Sequence, residues 1–554
     1  MRKFISVLAA FALIAGTFTG CTENRSDGAN YSFDCALPGN PESLDPQFAS
    51  DSNSMTVIAN LFTGLVTMND KGEISNAAAE SYTISDDMLT YTFKIRDDCY
   101  WYFDEDEDEE TDENEVTPIS AYDFVFAFRR IFNPETCSPH REKFRCLKNA
   151  GKIIDKNADY SEIGVRAISD RELVFELEYP SAGFLSSLST TPAMPCNEEF
   201  FNSTKGRYGL DDRSVISNGA FFVRQWFYDP YGNDNFIYMG RNDKNGTYDK
   251  IYPSYLNFFI KRSRKEAAES FSGSTSDVLL TFDFDAGKNK DHVVRAYQNY
   301  TLGIITNPEN SAYSNPDIKK ALAYGIDKDN FEGQISSDLQ PAYSVIPPGI
   351  SFLNKSYREL ISEKTVAVDE DGKPISYDPE LALSYYKKGM SNMGLQSLEN
   401  IKILVPEDIM DTEYLHLVTQ NWQTLFGFYI GIEEVPEDEY YNRIDDGEYT
   451  MAIYPLSGSY NNPLAVLEEF ETGNSSWGFS DSRVDGVIDE VRMLDNYNNG
   501  LELIAEGEKA IINNFEFIPV FYKTEYEVMG QGNDDILYDP FTKQLYFRYA
   551  KYYE

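Results

Sequence analysis

The chain has 554 residues, 42% of them hydrophobic, including 39 tyrosines and 37 phenylalanines. That is enough apolar side chain for more than one substantial core, and it excludes global disorder. The 91 acidic and 48 basic residues leave a formal charge of −43, which repels nucleic acid and anionic lipid and excludes polyanion binding. Three histidines, His140, His292 and His416, lie far apart and without metal-ligand spacing.

In chain order, Arg2 and Lys3 precede an apolar run from Phe4 to Gly16. A bilayer span takes about 20 residues, so this run has the length of a secretory signal core instead. The run ends in Phe18-Thr19-Gly20-Cys21, which resembles a bacterial lipobox with phenylalanine in place of the usual leucine. The expectation is a signal over residues 1–20 and acylation at Cys21. Residues 21–30 would then be a polar tether holding the folded body at the outer face of the cytoplasmic membrane. Five further cysteines, Cys35, Cys99, Cys137, Cys146 and Cys196, make an odd set. Cys137 and Cys146 are close enough to bridge, and the sequence leaves open whether they do or whether the thiols are free and buried.

The body alternates helix and strand. Apolar positions at helical spacing predict a helix over 56–66, and period-two alternation predicts a strand over 90–96. Residues 104–114 read DEDEDEETDEN. Asp104, Asp106, Asp108, Asp112 and Glu115 match ligand positions of a calcium loop, but Glu109 stands where the sharp turn needs glycine. The run therefore reads as a solvated loop, and no metal site is predicted. An amphipathic helix over 121–130 is stopped by Asn133-Pro134. Strands over 172–179 and 255–261, helices over 317–326 and 413–426, and the absence of a fixed repeat complete a mixed α/β pattern.

Seven stretches occur in one order: PESLDPQ at 41–47, NLFTGLV at 60–66, ISDDMLTYTFKIRDD at 84–98, AYDFVFAFRRIFNPET at 121–136, SNGAF at 217–221, NPDIKKALAYGIDK at 315–328 and YDPELA at 377–382. From about Tyr31 to the C-terminus the chain resembles the oligopeptide- and dipeptide-binding proteins of ABC importers, the family 5 solute-binding proteins. The resemblance implies a two-lobed α/β clamp of the periplasmic-binding-protein type (type II, cluster C-like). Lobe one would comprise 31–57, 183–285 and 521–554, with a subdomain over 58–182, and lobe two would comprise 286–520. It further implies a monomer without cofactor that captures a peptide between its lobes and delivers it to a membrane permease. The binding residues it points to are Asn40, Pro41, His140 and the loop Tyr454, Pro455, Leu456, Ser457, Ser459 and Tyr460.

No nucleophile elbow, zinc-protease motif or phosphate-binding loop is present. The resemblance therefore favours a binder over a secreted hydrolase, and a ligand-sensing receptor remains the alternative. Residues 457–463, SGSYNNP, are without charge in this acidic chain. In family members that take ordinary peptides, an acid commonly stands at the position of Ser459 and holds the ligand's ammonium. Here either a neighbouring acid such as Glu437, Asp445 or Asp446 replaces it, or the ligand's amine is absent, modified or solvent-exposed, or the ligand is not a peptide.

Overall fold

The computed structural model describes residues 31–551 apart from 69–73, 105–114, 182, 247–249, 284–291, 495–496, 531 and 534. The expected signal, Cys21 and the tether lie outside the described residues, as do Asp106, Asp108, Glu109 and Asp112. Among the described residues no helix is long and apolar enough to cross a membrane.

The first helix, Ser52–Leu61, starts where the Asp51 carboxylate accepts the Ser54 N–H at 2.8 Å. It ends at Leu61, five residues short of the expected limit. Phe62, Leu65 and Val66 are buried in extended chain instead. An apolar run buried on all sides has the same composition in either conformation, so periodicity does not separate them. The helix Ala121–Phe132 runs two residues beyond its expected end, and its Asp123 carboxylate accepts the Ser120 N–H at 2.7 Å. Its buried face rests on an antiparallel sheet ordered Ala79–Ile84, Thr90–Ile95, Glu172–Glu176 and Val165–Ser169. There Phe128 meets Phe175 at 5.0 Å between ring centroids. This unit is the subdomain.

One larger sheet runs through the whole molecule. Its order is Phe221–Phe227, Asn235–Arg241, Tyr255–Ile260, Ser32–Leu37, Val278–Thr281, Phe517–Met529, Val293–Thr306, Met451–Leu456, Ile401–Pro406 and Ile430–Val435, with Leu339–Pro341 added on Phe517–Met529. The two central strands are antiparallel and long, at 13 and 14 residues. At one end Val293–Tyr297 faces Glu525–Met529, which also pairs with Val278–Thr281. At the other, Tyr300–Ile305 faces Phe517–Lys523, and Thr301–Thr306 pairs with Met451–Leu456. The register shifts between Tyr297 and Tyr300, a bulge where the ladder is interrupted between the two ends.

The cores follow this division. One gathers Phe33, Leu61, Phe93, Trp101, Phe128 and Phe547, so the subdomain shares its core with lobe one. Two others, around Trp422 and Ile453 and around Tyr357, Phe470 and Phe517, belong to lobe two. All five described cysteines are free; Cys137 is exposed and the other four are buried, so Cys137 and Cys146 do not bridge. Burial pushes the Cys99 thiol up to about 11 and those of Cys146 and Cys196 to about 12, which keeps them protonated.

Candidate functional site: the cleft between the lobes

Among the described residues, three contacts bridge the mouth of the cleft. Arg264, on the lobe-one helix Arg264–Ser272, donates to Glu437 of the lobe-two helix Glu437–Asp445 at 2.5 Å. The Arg492 guanidinium of lobe two lies 5.5 Å from the centre of the Tyr179 ring in the subdomain. Gly183 lies against Tyr460, so close that a methyl group there would sit 2.8 Å from the Tyr460 ring. Beside these contacts lie two open-sided cavities, a first chamber of about 280 Å³ and a second of about 490 Å³.

The neutral turn is the partition between them. The strand Met451–Leu456 emerges from the sheet, and the chain then turns into the helix Pro463–Glu468. The Asn462 side chain accepts the Leu464 N–H at 2.8 Å and Pro463 occupies the first helical position, a start that needs no charge. Asn461 accepts the Ser351 N–H at 2.8 Å and so fixes the turn to the neighbouring loop. Ser457 lines the first chamber, while Ser459 and Tyr460 line the second.

The second chamber has lobe two on one wall and the subdomain on the other. On the lobe-two wall, Arg492 donates to Glu468 at 2.9 Å and to Glu471 at 2.7 Å, and the Tyr460 hydroxyl donates to Glu468 at 2.9 Å. Glu469 stands beside this group with no hydrogen bond among the described residues; burial first and the Glu468 charge second push its carboxyl up to about 7. Across the chamber, burial pulls the Lys143 ammonium down, and the charges acting on it are Asp539, Glu469 and Glu468. Lys143 likewise has no hydrogen bond among the described residues. His140 shares the subdomain wall. Its Nε2 lies 2.8 Å from the Ala49 carbonyl, and burial pulls it down to about 4. It is therefore a neutral ring donating from Nε2.

The first chamber lies where the long strands cross. Glu525 accepts the Tyr538 hydroxyl at 2.7 Å and lies 3.5 Å from the Lys543 ammonium, which sits 4.0 Å over the Tyr300 ring. Pro455 and Ser457 of the expected loop, with Tyr441 and Glu437, form the opposite wall. Extended backbone at 455–457 is the kind that pairs with a ligand main chain regardless of its side chains.

The structure thus gathers His140, Pro455, Ser457, Ser459 and Tyr460 around the cleft. Leu456 is instead packed in the lobe-two core at 1% exposure. Tyr454 packs against Trp477, its ring tilted by 56° at 4.5 Å between centroids. Asn40 accepts the Trp226 indole N–H at 3.3 Å and lines a third cavity of about 720 Å³, while Pro41 is buried beside it. Every residue lining that cavity comes from lobe one, so a ligand there would not join the lobes. Asp445 and Asp446 are exposed at the end of their helix, and neither lines a chamber. The sequence reading missed Lys143, Glu469 and Arg492. The only signal for them was a run of acids, Glu468, Glu469 and Glu471, inside an apolar stretch.

The family described as bacterial extracellular solute-binding proteins, family 5 Middle, matches residues 73–478. The oligopeptide-binding protein OppA of Bacillus subtilis strain 168 is 22% identical over 569 residues, covering 99% of this chain and 98% of its own. Among solved structures, the pheromone receptor PrgZ has a TM-score of 0.78 at 20% identity, covering 95% of this chain and 100% of PrgZ. Listeria monocytogenes OppA bound to peptide has a TM-score of 0.76 at 20% identity, with the same two coverages. The two-lobed α/β fold expected from the sequence motifs is the fold these structures share with this chain. The motifs, the fold and the family match over most of the length agree: the chain belongs to the bacterial extracellular solute-binding proteins of family 5.

Proposed function

We propose that the protein is the extracytoplasmic binding component of an ABC importer, which captures an oligopeptide between its lobes and hands it to a membrane permease. The observation that carries this reading is the cleft, whose chambers take their walls from both lobes. A ligand held that way stabilises the closed arrangement through contacts the open one lacks. The lobes are 31–57 with 183–285 and 521–554, and 286–520; they bend where the two long strands pass between them, with the 58–182 subdomain carried on lobe one. The protein works as a monomer without a cofactor and performs no chemistry on its ligand. Diacylated Cys21 holds it at the outer face of the membrane, because two acyl chains give stable attachment where one gives marginal attachment.

Incubating the purified protein with a mixed pool of di- to pentapeptides, washing and eluting, tests the reading by mass spectrometry. Intact peptides enriched over the input are expected. Recovery of none, or of cleaved products, overturns it. For the anchor, Cys21→Ser is expected to release the protein from membranes, and a variant that stays membrane-bound removes that part of the reading.

A further inference from the structure

One further cavity reverses the charge of the chain around it. It holds about 510 Å³ and lies where the subdomain, through Thr63 and Ser75, meets lobe one. Lobe one contributes Lys250, Tyr252, Arg548, Tyr549 and Lys551, and the one carboxylate among the described lining residues is that of Asp535. Three cations to one acid stand here in a chain with 91 acids to 48 bases. The Lys551 ammonium lies 3.7 Å from the centre of the Tyr252 ring, and the Arg548 guanidinium 5.2 Å from that of Tyr549. An aromatic ring positions a cation without neutralising it. Among the described residues neither Lys250 nor Lys551 has an ion pair. A pocket of cations and hydroxyls at a domain junction suits a compact oxyanion, above all a phosphate.

The same corner is where the N-terminal segment enters the body. The Tyr31 hydroxyl donates to the Ala550 carbonyl at 3.1 Å, and the Tyr31 carbonyl accepts the Ser254 N–H at 3.0 Å. The Tyr252 N–H in turn donates to the Arg548 carbonyl at 3.0 Å. Tyr31 is thus tied to the residue before Lys551 and to the segment that carries Tyr252. Residues 21–30 separate it from Cys21, and a segment of that length reaches at most about 35 Å when extended. A compact body of this size is about 60 Å across, so an anchor at Cys21 keeps this corner near the membrane.

The formal charge of −43 leads composition alone to exclude contact with anionic lipid. The tether takes the approach out of the control of that long-range field, and at contact the Debye length of about 8 Å leaves the local charges to decide. We propose that this pocket seats the phosphate headgroup of an anionic lipid and so orients the anchored body on the membrane. The inference rests on the acylation of Cys21 and is independent of what the cleft binds.

The lipidated protein is placed on vesicles of phosphatidylcholine with or without phosphatidylglycerol, and its lysines are footprinted by acetylation and mass spectrometry. A basic residue at an anionic surface corresponds to about fivefold in binding. Lys250 and Lys551 are therefore expected to label about fivefold or more slowly when phosphatidylglycerol is present, and high salt should restore their rates. Lys355 and Lys402, exposed on lobe two, should label alike on both vesicles. Lys551→Glu should remove the protection of Lys250, and Lys250→Glu that of Lys551. Thermal melts identify any variant that does not fold, and the comparison of the two vesicles on wild type then decides alone.

Equal labelling of Lys250 and Lys551 on both vesicles overturns this inference while leaving the anchor and the clamp intact. Variants that keep wild-type protection also overturn it. Protein that leaves neutral vesicles altogether overturns the anchor, and this inference with it. Protection by inorganic phosphate on neutral vesicles as strong as that by phosphatidylglycerol assigns the pocket to a soluble anion and overturns the membrane assignment.

Discussion

At the scale of single residues, the buried charges of this protein divide into those that are satisfied and those that wait. Glu508 is fully buried and accepts the Ile346 N–H at 2.9 Å and the Tyr357 hydroxyl at 3.2 Å, with Arg358 as its ion-pair partner. Removing one member of such a pair strands the other. Glu508→Ala is expected to cost about 3–5 kcal/mol, measured as a shift in the urea unfolding transition of lobe two. Glu469 behaves in the opposite sense. The groups facing it are Glu468 and Glu471 from its own segment, Arg492 between them, Lys143 from the subdomain and the Tyr454 hydroxyl. Its folded-state value of about 7 lies above the ordinary 4.5, so the stability tied to its protonation is fully present below pH 4.5 and is lost as pH rises through about 7. His140 works the other way: with a folded value of about 4 against 6.5, the stability of its neutral ring is present above pH 6.5 and lost as pH falls through about 4. The difference between variant and parent isolates the first effect. The melting temperature of ligand-free Glu469→Gln minus that of the parent is expected to rise between pH 4.5 and 7, and a flat difference refutes the assignment.

At the scale of elements, the neutral turn has a structural use for most of its residues. Asn462 and Pro463 start the helix Pro463–Glu468, and Asn461 anchors the loop at Ser351. A methyl group on Gly458 would lie 3.1 Å from the Ala465 side chain, so the turn packs directly on the helix it begins. Loss of the cap in Asn462→Ala is expected to cost about 0.5–2 kcal/mol, read from denaturant unfolding. Because the helix ends at the acids of the second chamber, the same change should also weaken peptide capture. The absence of charge was legible in the sequence. What it means was not, because capping and chamber lining use the same uncharged polar residues. The first helix shows the same limit: its start at Asp51 is a capping pattern, whereas Phe62 to Val66 are apolar for reasons of burial.

At the scale of the molecule, the contacts across the cleft set the balance between open and closed. The Arg264–Glu437 pair is 41% and 48% exposed at its side chains, so it contributes at most about 1 kcal/mol and weakens with salt. Arg264→Ala is expected to change ligand affinity by about fivefold or less at low salt and not at all at high salt. Gly183 is the tighter restraint. Its φ of −87° accepts any residue, so Gly183→Ala leaves the backbone unstrained and acts only by pushing on Tyr460. The expected result is an unchanged melting temperature, weaker peptide capture, and a smaller contraction on binding in solution scattering. A variant that closes and binds like the parent would show that the lobes meet elsewhere.

The sequence by itself determined the class of this protein: its motif order, its alternating strands and helices, and a charge that excludes nucleic acid. Those properties are carried by local spacing and by composition, which a linear chain displays. It also pointed to the loop that divides the cleft, through Ser457, Ser459 and Tyr460. Only the tertiary structure decided that Leu456 is core, that Asn40 faces a cavity of lobe one alone, and that Lys143 and Glu469 meet across the second chamber. These last two are 326 positions apart by their numbers, on segments brought together by the packing of the subdomain against lobe two. An acid among many acids carries no mark of its use until the neighbours that neutralise it, or fail to, are in place.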